Sequence, residues 1–238
     1  MWCSRPFSVL SRPGYGLMLA GLAWQLGVHA WFAPLPARLA QWPEPVPTAW
    51  LRVFSLGEPV VLAKGLMLWL HSFDDQAGLK VTIPDLDVGR LEGWLGSILD
   101  LDPRGQYPLL AAVRYYGELA TPAQQRRLGE FVFRRFLEDP AARWPWLAHA
   151  AIAARHRLHD LPLALRYARA LRRHTTAGQV PAWVGQMEIV LLEEMGEWQE
   201  ARALIEALLA GDALRDPRER HFWTERLQGL PQKGHDLP

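Results

Sequence analysis

The sequence predicts an all-α chain of stacked helical hairpins, preceded by one transmembrane helix. Three observations carry this. From about residue 56 onward apolar residues recur at three and four positions, the period of an α-helix. Helix breaks recur every 37 residues, from Asp102-Pro103 to Asp139-Pro140 to Ala177-Gly178. Near the N-terminus a run of 19 residues, 15–33, carries no charge.

In chain order, residues 1–14 read as a short cytoplasmic head carrying Arg5 and Arg12. Residues 15–33 (YGLMLAGLAWQLGVHAWFA) run from Tyr15 to Ala33 with only Gln25 and His29 strongly polar. At 1.5 Å per residue, a helix of about 20 such residues matches a ~30 Å hydrocarbon core. The two leading arginines favour a cytoplasmic N-terminus, with the bulk of the chain on the far side. Trp24, Trp31, Trp42 and Trp50 suit the headgroup level. The rival reading is a cleaved signal peptide, with Leu17 to Gly27 as its apolar core and cleavage after Ala30. Apolar residues that continue through Trp31 and Phe32 favour the anchor. Residues 34–55 hold Pro34, Pro36, Pro43, Pro45 and Pro47, which predicts an extended, semi-rigid spacer.

Residues 56–230 read as the helical domain. Residues 59–73 form a helix interrupted only by Lys64, too short and too charged for a second span. Asp74 to Gly78 break it, and Leu79 to Ile83 is the one strand-like stretch. Leu91, Trp94, Leu95 and Ile98 then share a face, as in an N-terminal cap. Three units follow, roughly 104–140, 141–177 and 178–216, with a 37-residue offset placing Ala164 over Ala201, Leu171 over Leu208 and Ile152 over Ile189. In the third, Gly196 ends a first helix, and Trp198, Ala201, Leu204, Ile205 and Leu208 line a second. A hairpin cannot hide its apolar face alone, so the units should stack into one continuous core. The tail, 231–238, is expected to be disordered.

Gly196-Glu197-Trp198-Gln199-Glu200-Ala201 resembles the turn and second-helix start of a tetratricopeptide repeat. Leu101-Asp102-Pro103 is similar to that family's repeat ending, and Glu138-Asp139-Pro140 is a weaker copy. The resemblance covers about residues 100–216. A period of 37 exceeds the family's usual repeat, so related helical-hairpin repeats fit as well. The resemblance implies a right-handed α-solenoid whose concave surface binds proteins or peptides, and it carries over no catalytic residue.

Charge is sorted by segment. The whole chain is +1, but residues 104–177 carry thirteen Arg and five acids, while 178–216 carry two Arg and eight acids. Arg166, Arg169 and Arg173 fall on one helical face, and Arg127 and Arg134 on another. Aligned by stacking, these five form a candidate patch for an acidic protein partner. The competing reading pairs them with Glu188, Glu193, Glu194, Glu197 and Glu200 of the neighbouring unit. Nucleic acid is not expected, because the aromatic residues fit the helix core rather than a stacking platform.

Catalytic signatures are sparse. Cys3 is the single cysteine, there is no Asn, and no Ser follows Ser97. These exclude an internal disulfide, a cysteine zinc cluster, N-glycosylation sequons and a serine nucleophile in the C-terminal half. No nucleotide-binding glycine loop occurs. His149, His156 and His159 with Asp160 offer metal-ligand types, yet sit where a hairpin turn is expected. His71 with Asp74 and Asp75, and Asp85, Asp87, Asp100 and Asp102, are acid–base candidates better explained as helix caps and loop residues. Tyr107, Tyr115, Tyr116, Trp144 and Trp146 could line a groove but have core spacing.

The sequence thus predicts no catalytic residue, no cofactor and no metal. It predicts a membrane-anchored, non-catalytic adaptor of the bacterial envelope, at the inner membrane with its repeat domain in the periplasm. The alternative is a helical enzyme or small-ligand binder with a pocket in the helical domain.

Overall fold

The computed structural model describes residues 12–31, 39–74, 76, 81–176, 178–211 and 216–231. The chain divides into two compact units. One holds the N-terminal helix; the other comprises Ala40–Gln76 and Lys80 onward. The head before residue 12, Cys3, Asp75 and the tail beyond Pro231 lie outside the described residues.

The N-terminal unit contains helix α1 (Arg12–Trp31), whose apolar residues lie all round its axis rather than on one stripe. Leu17, Met18, Leu19, Leu22, Trp24 and Leu26 are exposed. Among the described residues no single helix is long and apolar enough to cross a membrane. Gln25, His29 and the glycines at 16, 21 and 27 dilute the apolar content of α1. Phe32 and Ala33, the end of the expected span, lie outside the described residues.

The second unit opens on the proline segment. Residues 41–47 are extended, as their prolines require, but they do not hang free as a spacer. Trp42 is fully buried, and its indole N–H donates to the Leu70 carbonyl at 3.3 Å. The Trp94 indole donates to the Pro43 carbonyl at 2.9 Å. Pro45 lies so close to Gly93 that a Cβ there would stand 2.4 Å from its ring, so only glycine admits this approach. Helices α2 (Thr48–Phe54) and α3 (Pro59–His71) follow at a sharp bend of 110°. A short 3-10 turn, Ile83–Asp85, leads into α4 (Val88–Leu101). No strand occurs among the described residues; of the strand-like stretch, 79–80 lie outside them and Ile83 begins the 3-10 turn.

Three hairpins then follow the 37-residue period. The first helix of hairpin one starts as α5 (Tyr107–Leu110), continues as a π-helical stretch (Ala111–Tyr116) and ends as α6 (Gly117–Leu119). Its second helix is α7 (Pro122–Glu138). Hairpin two is α8 (Pro140–His156) with α9 (Leu161–His174), and hairpin three is α10 (Ala182–Glu194) with α11 (Trp198–Ala210). A last helix, α12 (Pro217–Gly229), packs on α11. From α7 onward each helix packs on the next in sequence order, which is the arrangement of an all-α solenoid.

The sequence dictates these junctions locally. At Asp139-Pro140 one Asp-Pro pair both stops a helix and starts the next. The Asp139 carboxylate accepts from Ala142 N at 3.2 Å, capping α8, with Pro140 in the first turn, where no N–H is needed. Asp216 caps α12 in the same way, accepting from Arg218 N at 2.8 Å. The turn of hairpin three places Gly196 at φ +77°, and 37 residues earlier His159 takes φ +50° in the corresponding turn. Ala164 and Ala201, also 37 apart, are both fully buried where the paired helices approach. Leu128, Phe136, Leu147, Leu165, Leu171 and Ile205 fill the space between.

Leu147 has no exposed surface. Leu147→Ala should lower unfolding stability by about 2–5 kcal/mol through the cavity it leaves, read from urea midpoints. Leu119→Ala, at an exposed site, should stay within about 0.5 kcal/mol of the parent.

Candidate functional site

The first helices of successive hairpins line up, and their shared face carries a groove. It runs over α8, α10 and α12 and encloses about 360 Å³. Ile152 from α8, Trp183, Met187 and Val190 from α10, and Phe222 and Trp223 from α12 form its walls. Ile152, Trp183 and Phe222 are exposed, so the groove is open to a partner. Trp183 is braced edge-on by Trp144, ring centres 5.9 Å apart. At the rim, Arg155 Nε meets Glu194 Oε2 at 2.6 Å, and Arg226 Nε meets Glu193 Oε1 at 2.9 Å. The Arg226 guanidinium also lies over the Phe222 ring, 5.6 Å from its centre. Arg155 and Arg226 are thus drawn to acids at the rim, and the walls offer apolar contact. That chemistry suits the apolar side chains of a helix or extended peptide.

A smaller depression of about 110 Å³ lies between α8 and the first hairpin. His149, His156, Arg114, Glu118 and Tyr167 line it. Burial, and then the Arg114 charge, hold the His149 imidazole below its usual range; burial pushes the Tyr167 phenol up to about 12. His159 lies in the α8–α9 turn, and Asp160 caps α9 by accepting from Leu163 N at 3.1 Å. No group of three or more His, Cys, Asp or Glu placed to hold a metal ion occurs among the described residues.

The predicted arginine patch falls on the second helices, where four of its five members are already partnered. Arg127 Nε meets Glu92 Oε2 of α4 at 2.6 Å, and Arg134 shares the same carboxylate. Arg166 of α9 pairs with Glu130 of α7. Arg169 reaches Glu188 of α10 at 3.2 Å and also Glu200 of α11. Glu188 is itself buried and holds Arg172 at 2.6 Å. Ion pairs thereby link each second helix to the next. Arg173 is exposed and has no ion pair among the described residues.

One constellation that the sequence scattered is assembled by the fold. His71, at the end of α3, donates or accepts through Nδ1 with Asp74 Oδ2 at 2.9 Å, and through Nε2 with the Tyr107 hydroxyl at 2.9 Å. The Tyr116 hydroxyl donates to Asp74 Oδ2 at 3.3 Å, and its ring stacks on His71. Tyr115 meets the imidazole edge-on, 5.0 Å between centres. The π-helical stretch widens the turn that carries Tyr115 and Tyr116. Burial raises the Asp74 carboxyl above its ordinary value, although hydrogen bonding and charge from His71 pull the other way. Burial, then the Asp74 charge, also raises the Tyr116 phenol. None of these residues lines either depression described above. The carboxylates Asp85 and Asp87 are local caps: Asp85 closes a box with Thr82, and Asp87 accepts from Gly89 N at 2.8 Å. Asp100 meets Arg135 at 2.9 Å.

No family model, curated protein or solved structure matches the chain.

Glu188→Gln should cost about 1.5–3 kcal/mol, because it removes charge-assisted bonds to Arg169 and Arg172 from a buried site. Asp74 gives a pH signature. Its raised carboxyl binds a proton more tightly folded than unfolded, so its contribution to stability is present at low pH and is lost as pH rises through the raised value. Urea midpoints measured across that range should slope downward more steeply in the parent than in Asp74→Asn.

Proposed function

We propose that the chain is a membrane-anchored, non-catalytic adaptor of the bacterial envelope, whose helical-repeat domain holds a partner protein outside the cytoplasm. The single observation that carries this reading is the open apolar groove across the first helices of successive hairpins, with exposed Trp183 and Phe222 as its anchors. Exposed aromatic anchors on a stacked-helix face are what a partner helix needs at i, i+3, i+4 and i+7. An inner-membrane location with the C-terminal domain in the periplasm rests on the charge-free run 15–33 and the arginines before it. Arg173, unpaired on the second-helix face, is the position left to meet an acidic partner surface.

A helical enzyme is the second reading, and the His71, Asp74, Tyr107 and Tyr116 cluster is the observation that favours it. Asp74 orients one imidazole nitrogen and leaves the other on a phenol hydroxyl, a competent acid–base arrangement.

Pull-down of tagged full-length protein from solubilised membranes, read by mass spectrometry, should recover a partner with the parent. Trp183→Ala with Phe222→Ala should reduce its recovery at least tenfold, whereas His71→Ala should leave it unchanged. Recovery insensitive to the groove pair would remove the adaptor reading. A reporter active only outside the cytoplasm, fused after Pro238, should be active; silence there rejects the topology. Arg173→Gln should weaken capture and move the urea midpoint by no more than the equivalent of about 0.5 kcal/mol, because it breaks no ion pair among the described residues.

A further inference from the structure

The α2–α3 corner is an exposed apolar surface that the adaptor reading does not use. Trp50, Val53, Phe54, Leu56, Val61 and Leu68 all point outward, and Leu56, at the tip, is 92% exposed. A single exposed apolar residue costs little, but six large ones gathered on one bent helix pair favour contact with something other than water.

The backbone reinforces this. Leu56 sits at φ +50° and Gly57 at φ +94°, so the turn uses the left-handed region at a leucine, where a β-carbon is disfavoured. That conformation projects the leucine side chain at the apex of the corner. No packing reward inside the domain offsets it, since the side chain touches almost nothing.

The occupant follows from composition and reach. α2 and α3 together reach the apolarity of a membrane-spanning stretch, and they are bent by 110° at the break between them. On α3 the exposed stripe is Val60, Val61, Lys64 and Leu68, while Ala63, Met67 and Leu70 face the core. A lone lysine amid valines and leucine is the pattern of a helix lying in a headgroup layer, its ammonium reaching up to water. Glu58, exposed beside the tip, sets a shallow depth. Residues 32–39 alone separate α1 from Ala40, a tether of no more than about 30 Å at 3.3–3.6 Å per residue. This tether rests on the anchor reading given above: with α1 held in lipid, Ala40 lies no further than that from the end of α1.

We propose that the α2–α3 corner, tipped by Phe54 and Leu56, inserts shallowly into a lipid bilayer surface and so fixes the orientation of the repeat domain.

The full-length chain with Cys3→Ser, reconstituted into phosphatidylcholine/phosphatidylglycerol vesicles, provides the test. Single cysteines at Leu56, Val61, Leu22 and Arg173 would each carry an environment-sensitive fluorophore. Labels at 56 and 61 should be quenched by lipid-borne nitroxide at least twofold more than the label at 173, and less by aqueous iodide. Equal quenching at 56, 61 and 173 overturns the proposal. Shielding of position 56 from both quenchers also overturns it, because a protein or a second copy then covers the corner. The label at Leu22 separates the two readings. Nitroxide quenching at 22 without quenching at 56 and 61 keeps the anchor and removes the corner. Quenching at 56 and 61 but not at 22 keeps the corner and removes the anchor.

Discussion

Each hairpin of this domain has one apolar face and nothing of its own to cover it. The next hairpin supplies the cover, and that dependence organises the molecule. It explains why small residues recur where helices meet: Ala164 and Ala201 are fully buried at the same place in consecutive hairpins, and a larger side chain there would hold the helices apart. It also explains why the caps are sharp. Asp139 ends α7 and starts α8 within one residue, so the chain turns back without spending loop length.

Electrostatics follow the same nearest-neighbour rule. The excess of arginine in residues 104–177 is answered by acids on the helices that pack against it. Glu92 takes two guanidiniums from α7, Glu130 takes one from α9, and buried Glu188 takes two more. The Glu92 and Glu130 partners lie about one repeat apart in sequence, whereas Arg169 and Arg172 reach Glu188 on the very next helix. Arginine suits this role because its planar fork can serve two acceptors at once, as Arg169 does with Glu188 and Glu200. Most arginines of the basic segment are thereby paired, and of the five patch arginines Arg173 has no ion pair among the described residues.

Much of the hairpin stack was legible in the sequence. The 37-residue offset located the hairpins because breaks and alanines repeat with the fold. The left-handed turn was legible at Gly196 but hidden at His159, where a non-glycine residue takes the same conformation. The proline segment read as a spacer because its own sequence forbids helix; only the fold shows Trp42 buried against Leu70. The His71 cluster had all its members named, but 36 residues separate His71 from Tyr107, and a π-helical stretch has no period from which side-chain direction can be read. The groove's aromatic walls were not foreseen: the sequence offered Tyr107, Tyr115, Tyr116, Trp144 and Trp146 as groove candidates, not Trp183, Phe222 or Trp223. Its floor needs α12, a helix whose polar sequence gives little apolar signal.

That helix is the thinly held end of the stack. Of its side chains only Trp223 is buried, and α11 beneath it buries just Ala201 and Ile205. In a quasi-linear array the terminal element opens first, at a free energy far below that of the whole domain. Two of the groove's three wall aromatics, Phe222 and Trp223, therefore ride on the segment most prone to fray. A bound helix that bridges α10 and α12 would hold α12 closed while it occupies the cleft. Recognition at this face is then a late step of folding, and affinity carries a tax set by how often the final turn is closed.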